Sequence, residues 1–187
     1  MEKHHICPYR AGPILYSSLR KLFHNPHRIT EPYLSDGATA IDIGCGMGFF
    51  TIPMSRIVGK DGEVIAVDLQ PEMLGGLNRN ALKSGCENIT AHLCDSDALH
   101  IEQWNGTIDF ALVFWMLHEV PDAERMINEI HVALAPKGKL LFVEPVVHVG
   151  RKKFLDSLSM MERHGFTIIE KPNIPTSRAA VLQKKVL

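Results

Sequence analysis

Cysteine is scarce in this sequence. Cys7, Cys45, Cys86 and Cys94 are widely separated and form no C-x-x-C pair, which argues against a disulfide framework and against a compact zinc site. Long apolar runs are missing too. No stretch approaches the roughly twenty apolar residues of a membrane span, and the first thirty residues hold no apolar run behind a basic start, so no membrane association and no secretory leader is expected. Charge of either sign is not in excess: 20 Lys and Arg against 21 Asp and Glu leave a net −1. That balance gives no global attraction to nucleic acid. The one local bias lies in residues 1–30, where Lys3, Arg10, Arg20, Lys21 and Arg28 face only Glu2. These shortages predict a soluble, cytoplasmic, single-domain protein. Its 45% apolar content is the ordinary share for a packed core.

Histidine, by contrast, is frequent, with ten in the chain. His4, His5 and Cys7 would make part of a metal site, but no second cluster lies at a familiar ligand spacing, and no metal is expected.

From residue 38 onward, short β-branched or aliphatic runs alternate with segments of helical period, the pattern of a parallel sheet covered by helices. Ala38–Ile43, Val64–Val67, Ile89–Leu93, Phe110–Phe114 and Lys139–Val143 read as five strands, the last following a Pro136-Lys137-Gly138 turn. Met126, Ile127, Ile130, Ala133 and Leu134 share one helical face, as do Phe154, Leu155, Leu158 and Met161. Pro71 and Pro121 stand where helices begin, and Gly165 is a helix stop. Near the end, Thr167–Glu170 and Ala179–Leu182 are joined by a loop too short for a crossover helix, so they must pair antiparallel. The expected fold is a Rossmann-like, seven-stranded, mostly parallel α/β sheet with an antiparallel last strand pair and helices on both faces. Ahead of it, Ile14, Leu15, Leu19, Leu22 and Phe23 have helical spacing. Residues 1–35 thus read as an N-terminal helical extension, packed on the sheet edge or placed as a lid, and residues 36–187 as the ligand-binding domain.

The run Ile41-Asp42-Ile43-Gly44-Cys45-Gly46-Met47-Gly48-Phe49 leaves a strand and enters a helix. Glycines there let the backbone turn sharply and approach a ligand closely. A dinucleotide-binding G-x-G-x-x-G needs glycine at position 49, which is Phe49. The spacing is G-x-G-x-G instead, with Asp42 just ahead, and a carboxylate there suits a cationic ligand, whose ammonium or sulfonium charge it offsets. Asp68, 24 residues beyond Gly44 and just after a strand, stands where an acidic residue takes ribose hydroxyls. A phosphate on that ribose would be repelled.

Taken in order, Asp42–Gly48, Asp68, Cys94-Asp95-Ser96, Asp109–Phe114 and Leu134-Ala135-Pro136-Lys137-Gly138 resemble the motifs of class I S-adenosylmethionine-dependent methyltransferases, over about residues 36–185. Cys7-Pro8-Tyr9-Arg10 and Phe23-His24-Asn25-Pro26 also resemble the lead-in of small prokaryotic "type 11" members. The resemblance implies S-adenosylmethionine as cofactor and S-adenosylhomocysteine as product. It places Gly44 and Gly46, with Cys45 between them, against the methionine part, Asp68 on the ribose, and Asp95 and the Ser96 N–H at the adenine. Leu69 and Gln70 border the ring, the Phe114 backbone seats the amino acid end, and Asp97 competes with Asp95. Two departures stand out: Lys139 where a second glycine is usual, and Gly75-Gly76 inside a helix.

On such a sheet the fourth and fifth strands are neighbours, and their ends, Trp115–Glu119 and Glu144–His148, should converge on the ligand side. His118, Glu144 and His148 are the catalytic candidates. Methyl transfer mainly needs alignment and exclusion of water. Where a proton must leave the acceptor, His118 is the first choice to receive it. With so little chain outside the core, a small-molecule acceptor is favoured. An RNA or protein methyltransferase with a partner, a non-catalytic cofactor-binding subunit and a nicotinamide oxidoreductase are the competing readings.

Overall fold

A computed structural model describes residues 24–186. Its strands are β1 (Thr39–Ile43), β2 (Glu63–Asp68), β3 (Ile89–Leu93), β4 (Ile108–Phe114), β5 (Leu134–Pro145), β6 (Phe166–Glu170) and β7 (Ser177–Lys184). The helices are α1 (Pro26–Thr30), α2 (Thr51–Val58), α3 (Pro71–Ser84), α4 (Ala123–Ala133) and α5 (Arg151–Arg163). One sheet holds all seven strands in the order β3-β2-β1-β4-β5-β7-β6. Neighbours from β3 across to β5 run parallel, and β7 is antiparallel to both β5 and β6. The direction of winding reverses between β1 and β4. Open α/β sheets place ligands at the carboxyl ends of the strands beside such a reversal.

Strand parity sorts the core into two layers. Ile41, Ile43, Ile65, Val67, Ala111, Val113, Leu140 and Phe142 face α4 and α5, where Met126, Ile127, Ile130, Phe154, Leu158 and Met161 meet them. On the other face, Ala40, Val64, Leu112, Leu141 and Val181 pack with Phe50, Met54 and Val58, and Ala66 packs with Leu74 and Leu77 of α3. Because side chains alternate along a strand, Asp42 and Asp68 belong to the α2 and α3 face, and Glu144 to the face of α4 and α5. The strand ends therefore bring acidic groups to the site from both sides of the sheet.

Several expectations need correction. The fifth strand starts at Leu134, because the Pro136–Gly138 turn is absorbed into it as an irregularity between the pairings Ile108↔Leu134 and Phe110↔Lys139. That pairing puts Leu134 in the sheet, although it is buried as expected. Leu155 is 44% exposed, since Phe154, Leu158 and Met161 complete the buried stripe without it. Helix α4 begins at Ala123, with the Asp122 carboxylate accepting from the Arg125 N–H (2.9 Å), so Pro121 precedes the cap. The residues read as an N-terminal helix, Ile14 to Phe23, lie outside the described residues, as do His4, His5 and Cys7. Of the predicted extension, residues 24–35 are described. Ile29, Tyr33 and Leu34 pack on the core, and His24 is buried.

The glycine pair inside α3 has a local reason. A Cβ on Gly76 would stand 2.8 Å from Cγ of Met47, so this glycine lets the loop after β1 settle on the helix, where Asn80 Nδ2 also donates to the Met47 carbonyl (3.0 Å). Gly75 has only the Arg79 guanidinium, at 3.6 Å. Alanine is favoured over glycine in helices by about 1 kcal/mol. Gly75→Ala is therefore expected to raise the urea midpoint, and Gly76→Ala to lower it or leave it unimproved.

Candidate active site

The loop after β1 is built on backbone hydrogen bonds. Gly44 and Cys45 N–H both donate to the Val67 carbonyl (2.9 and 3.0 Å), tying the loop to the end of β2. Gly44, Gly46 and Gly48 have φ of 75°, 55° and 90°, a region that side chains rarely adopt. A Cβ on Gly44 would press on Met116 at 3.1 Å, and one on Gly46 would meet nothing within 4 Å. The open flank of Gly46 leaves its backbone accessible from the cavity that it lines.

Asp68 braces this loop. One carboxylate oxygen accepts from the Gly46 N–H (2.9 Å) and the other from the Gln70 N–H (2.9 Å). Burial pushes its carboxyl above the ordinary value, opposed by the N–H groups of Gln70, Gly46 and Leu69. Each oxygen keeps a lone pair for a further donor. Asp42 is buried and accepts the Thr51 hydroxyl at 2.6 Å, which anchors it to the start of α2. Cys45 and Cys94 also line the cavity. Burial is the main cause that pushes both thiols up, Cys94 to about 12, so neither is a thiolate at neutral pH.

At the end of β3 the two competing carboxylates separate. Asp97 turns to Arg125 (3.6 Å), whereas Asp95 and Ser96 line the cavity. Asp95 bonds to Nε2 of His100 (2.7 Å), and the turn is closed by Asp95 N–H to the Ala98 carbonyl (2.9 Å). His100 holds φ of 54°, and its bond to Asp95 raises its pKa.

On the far side of the reversal, β4 runs into Phe114 and Trp115. Phe114 packs on Phe50 with ring centroids 4.4 Å apart. Trp115 has φ of 62°, strain that tends to collect at functional sites. It is held by its N–H on the Val143 carbonyl (2.8 Å), its indole N–H on Ser177 Oγ (3.0 Å) and the ring of His24 (4.8 Å). The turn beyond presents His118, whose backbone N–H donates to Glu144 Oε1 (3.0 Å) and whose Nδ1 lies 2.7 Å from Oε2. A carboxylate only accepts, so Nδ1 carries the proton and Nε2 is left as the basic nitrogen. Glu144 is 2% exposed. Its hydrogen bond raises the His118 pKa against the effect of burial; the charges of Glu144 and Glu119 add to the rise, and Lys153 opposes it. His148 is exposed and meets His118 ring to ring at 5.6 Å, while Glu119 lies 4.0 Å from His118 Nε2.

A single cavity of about 360 Å³ joins these parts, from Gly46, Asp68 and Asp95 to Trp115, His118 and His148. Residues 34–176 match the family model described as a methyltransferase domain. The chain belongs to this methyltransferase family. Its cofactor is S-adenosylmethionine. Among curated members, a demethylmenaquinone methyltransferase of Lactobacillus johnsonii is 28% identical over 124 residues, 63% of this chain and 50% of the relative. An arsenite methyltransferase of Halobacterium salinarum is 26% identical over 113 residues, 60% of this chain and 28% of the relative. The chain thus spans half or less of the length of these two relatives. In fold, this methyltransferase domain is similar to a SAM-dependent methyltransferase from Aquifex aeolicus. The TM-score is 0.85 at 20% identity, covering 95% of this chain and 98% of that one.

Every residue given a part in cofactor binding or catalysis from the sequence lines this methyltransferase's cavity except Glu144, which supports His118 from behind, and Asp97, which faces away. Thr51, His100 and Met126 went unforeseen. The first two act through contacts made only in the folded chain. Met126 was legible as helix core and does double service on the cavity wall. Among the described residues, no group of three His, Cys, Asp or Glu side chains is placed to hold a metal, and no helix is long and apolar enough to cross a membrane.

Proposed function

We propose that this chain transfers the methyl group of S-adenosylmethionine to a small-molecule acceptor, with His118 receiving the acceptor's proton. The observation that carries this reading is the continuity of the cavity from the glycine loop to the His118–Glu144 pair. The loop fits the cofactor: Gly46 presents an open backbone, and Asp68 retains lone pairs for ribose hydroxyls. Leu69, Met73 and Leu99 offer apolar walls to an adenine ring, with Asp95 and Ser96 at its edge. Asp42 contributes its negative charge through space while its carboxylate stays on Thr51. Gly44, Cys45 and the backbone of Phe114 surround the methionine end.

The cofactor supplies a methyl group already activated on a sulfonium. The protein's share is then to align the acceptor, exclude water and take up one proton. Glu144 accepts from the His118 backbone N–H and from its ring Nδ1, which orients the ring and holds its tautomer, while His148 stands beside it at the mouth. Both curated relatives are named for small acceptors, which supports a small molecule here. Residues 36–187 form the cofactor-binding unit in this reading, and the expected location is the cytoplasm.

Two measurements test it. S-adenosylhomocysteine is expected to raise the melting temperature and NAD(H) to leave it unmoved. Label from [methyl-³H]S-adenosylmethionine, incubated with a cell extract, is expected in the small-molecule fraction. Label recovered only in RNA or protein would overturn the acceptor class.

A further inference from the structure

The acceptor end of the cavity is largely apolar. Met116, Val120, Pro121, Met126, Pro145 and Val147 line it, and the polar groups there are His118, Glu119 and His148. Among the described residues, no lysine or arginine lines the cavity at either end, while Asp42, Asp68, Asp95 and Glu119 do. Lys153, whose charge reaches His118, is an exposed residue of α5 outside the lining. An anionic acceptor would leave water for apolar walls and carboxylates, with only the imidazoles of His118 and His148 to meet its charge. An aliphatic ammonium would stand against the positive sulfonium.

The base narrows the class further. His118 Nε2 is available because Nδ1 is held on Glu144. A proton passes to an imidazole more readily the closer the acidity of its donor lies to that of the imidazole. Phenolic hydroxyls lie several orders of magnitude closer than aliphatic alcohols do. The thioethers of Met116 and Met126 make favourable contacts with aromatic rings, and Val147, 81% exposed, extends the apolar wall to the rim.

Resting on the proposed methyl transfer, we infer that the acceptor is an uncharged, largely apolar phenol, and that the cavity rejects anionic acceptors. The phenolic proton passes to His118 Nε2. The oxygen's electron pair forms the new O–C bond, and the C–S bond breaks with its pair left on sulfur. The imidazolium then returns its proton to solvent. Around that imidazole stand Glu144, Glu119, His148 and Lys153.

The test uses the full chain saturated with sinefungin, an unreactive cofactor analogue whose ammonium keeps the positive charge of the sulfonium, and three probes of one ring size: 2-naphthol, 2-naphthoate and 2-naphthylmethylammonium. In calorimetric titrations near neutral pH, 2-naphthol is expected to bind at least about tenfold more tightly than either charged probe. By absorbance, bound 2-naphthol should ionise at a higher pH than the free probe, since apolar walls and carboxylates disfavour its anion, and His118→Asn should leave its binding in place. Val147→Lys, at an exposed position, is expected to improve 2-naphthoate binding about tenfold. Charged probes binding as tightly as 2-naphthol would overturn the inference. So would no probe binding while sinefungin binds, a result that leaves the cofactor reading intact. Failure of S-adenosylhomocysteine itself to bind brings down both.

Discussion

Glu144→Gln is expected to lower kcat by about 10²–10³-fold while leaving the affinity for S-adenosylhomocysteine within about twofold. The carboxylate accepts two hydrogen bonds from one residue, His118 N–H at 3.0 Å and Nδ1–H at 2.7 Å. A glutamine amide has one accepting oxygen and one donating nitrogen. Whichever way it turns, either the backbone N–H loses its acceptor or Nδ1 is made the lone-pair side, which moves the proton to Nε2 and removes the base. The pH profile gives a second readout. A general base works when neutral, so activity should rise with pH through a His118 pKa that the Glu144 bond holds above the ordinary 6.5. In the variant that limb should move to lower pH at a reduced plateau. An unchanged kcat would make Glu144 a buried strut and no more.

For Asp68→Ala, the dissociation constant for S-adenosylhomocysteine should rise about 10²–10³-fold, since hydrogen bonds to a charged group contribute about 1.5–3 kcal/mol each. The loss has two sources. Ribose hydroxyls lose their acceptor, and the N–H groups of Gly46 and Gln70 lose the brace that shapes the loop. Asp68→Asn keeps one accepting oxygen and should recover part of the affinity. Asp97→Ala should bind normally, because that carboxylate faces Arg125. Calorimetry on the three variants separates these outcomes, and wild-type affinity in Asp68→Ala would refute the assignment.

The order of strands and the position of Asp68 were legible because both rest on local pattern. Alternating aliphatic runs announce strands, and a carboxylate at a strand end is a fixed distance from the loop before it. The meeting of His118 and Glu144 was legible only through topology: once β4 and β5 are neighbours, their ends must converge. What stayed hidden depends on partners distant in sequence. Trp115 adopts positive φ because Val143, Ser177 and His24 hold it, and nothing in Phe-Trp-Met announces that. Spacing alone did not tell that Asp95 would line the cavity while Asp97 turns to Arg125. Leu155 misled because it follows a core residue, although its own direction on α5 points to solvent.

Strand β7 lies between β5 and β6 yet comes after both in the chain. During synthesis, β5 emerges with its second edge unpaired, and β6 has no neighbour until β7 arrives. The same late segment carries Ser177, which holds the Trp115 indole, and Pro175, whose carbonyl lies 2.9 Å from His24 Nε2. The end of the cavity proposed to take the acceptor is thus finished last. A nascent chain lacking β7 would display an open sheet edge, the kind that recruits other strands. Such a chain could already possess the glycine loop and Asp68, and so hold cofactor before it can use it.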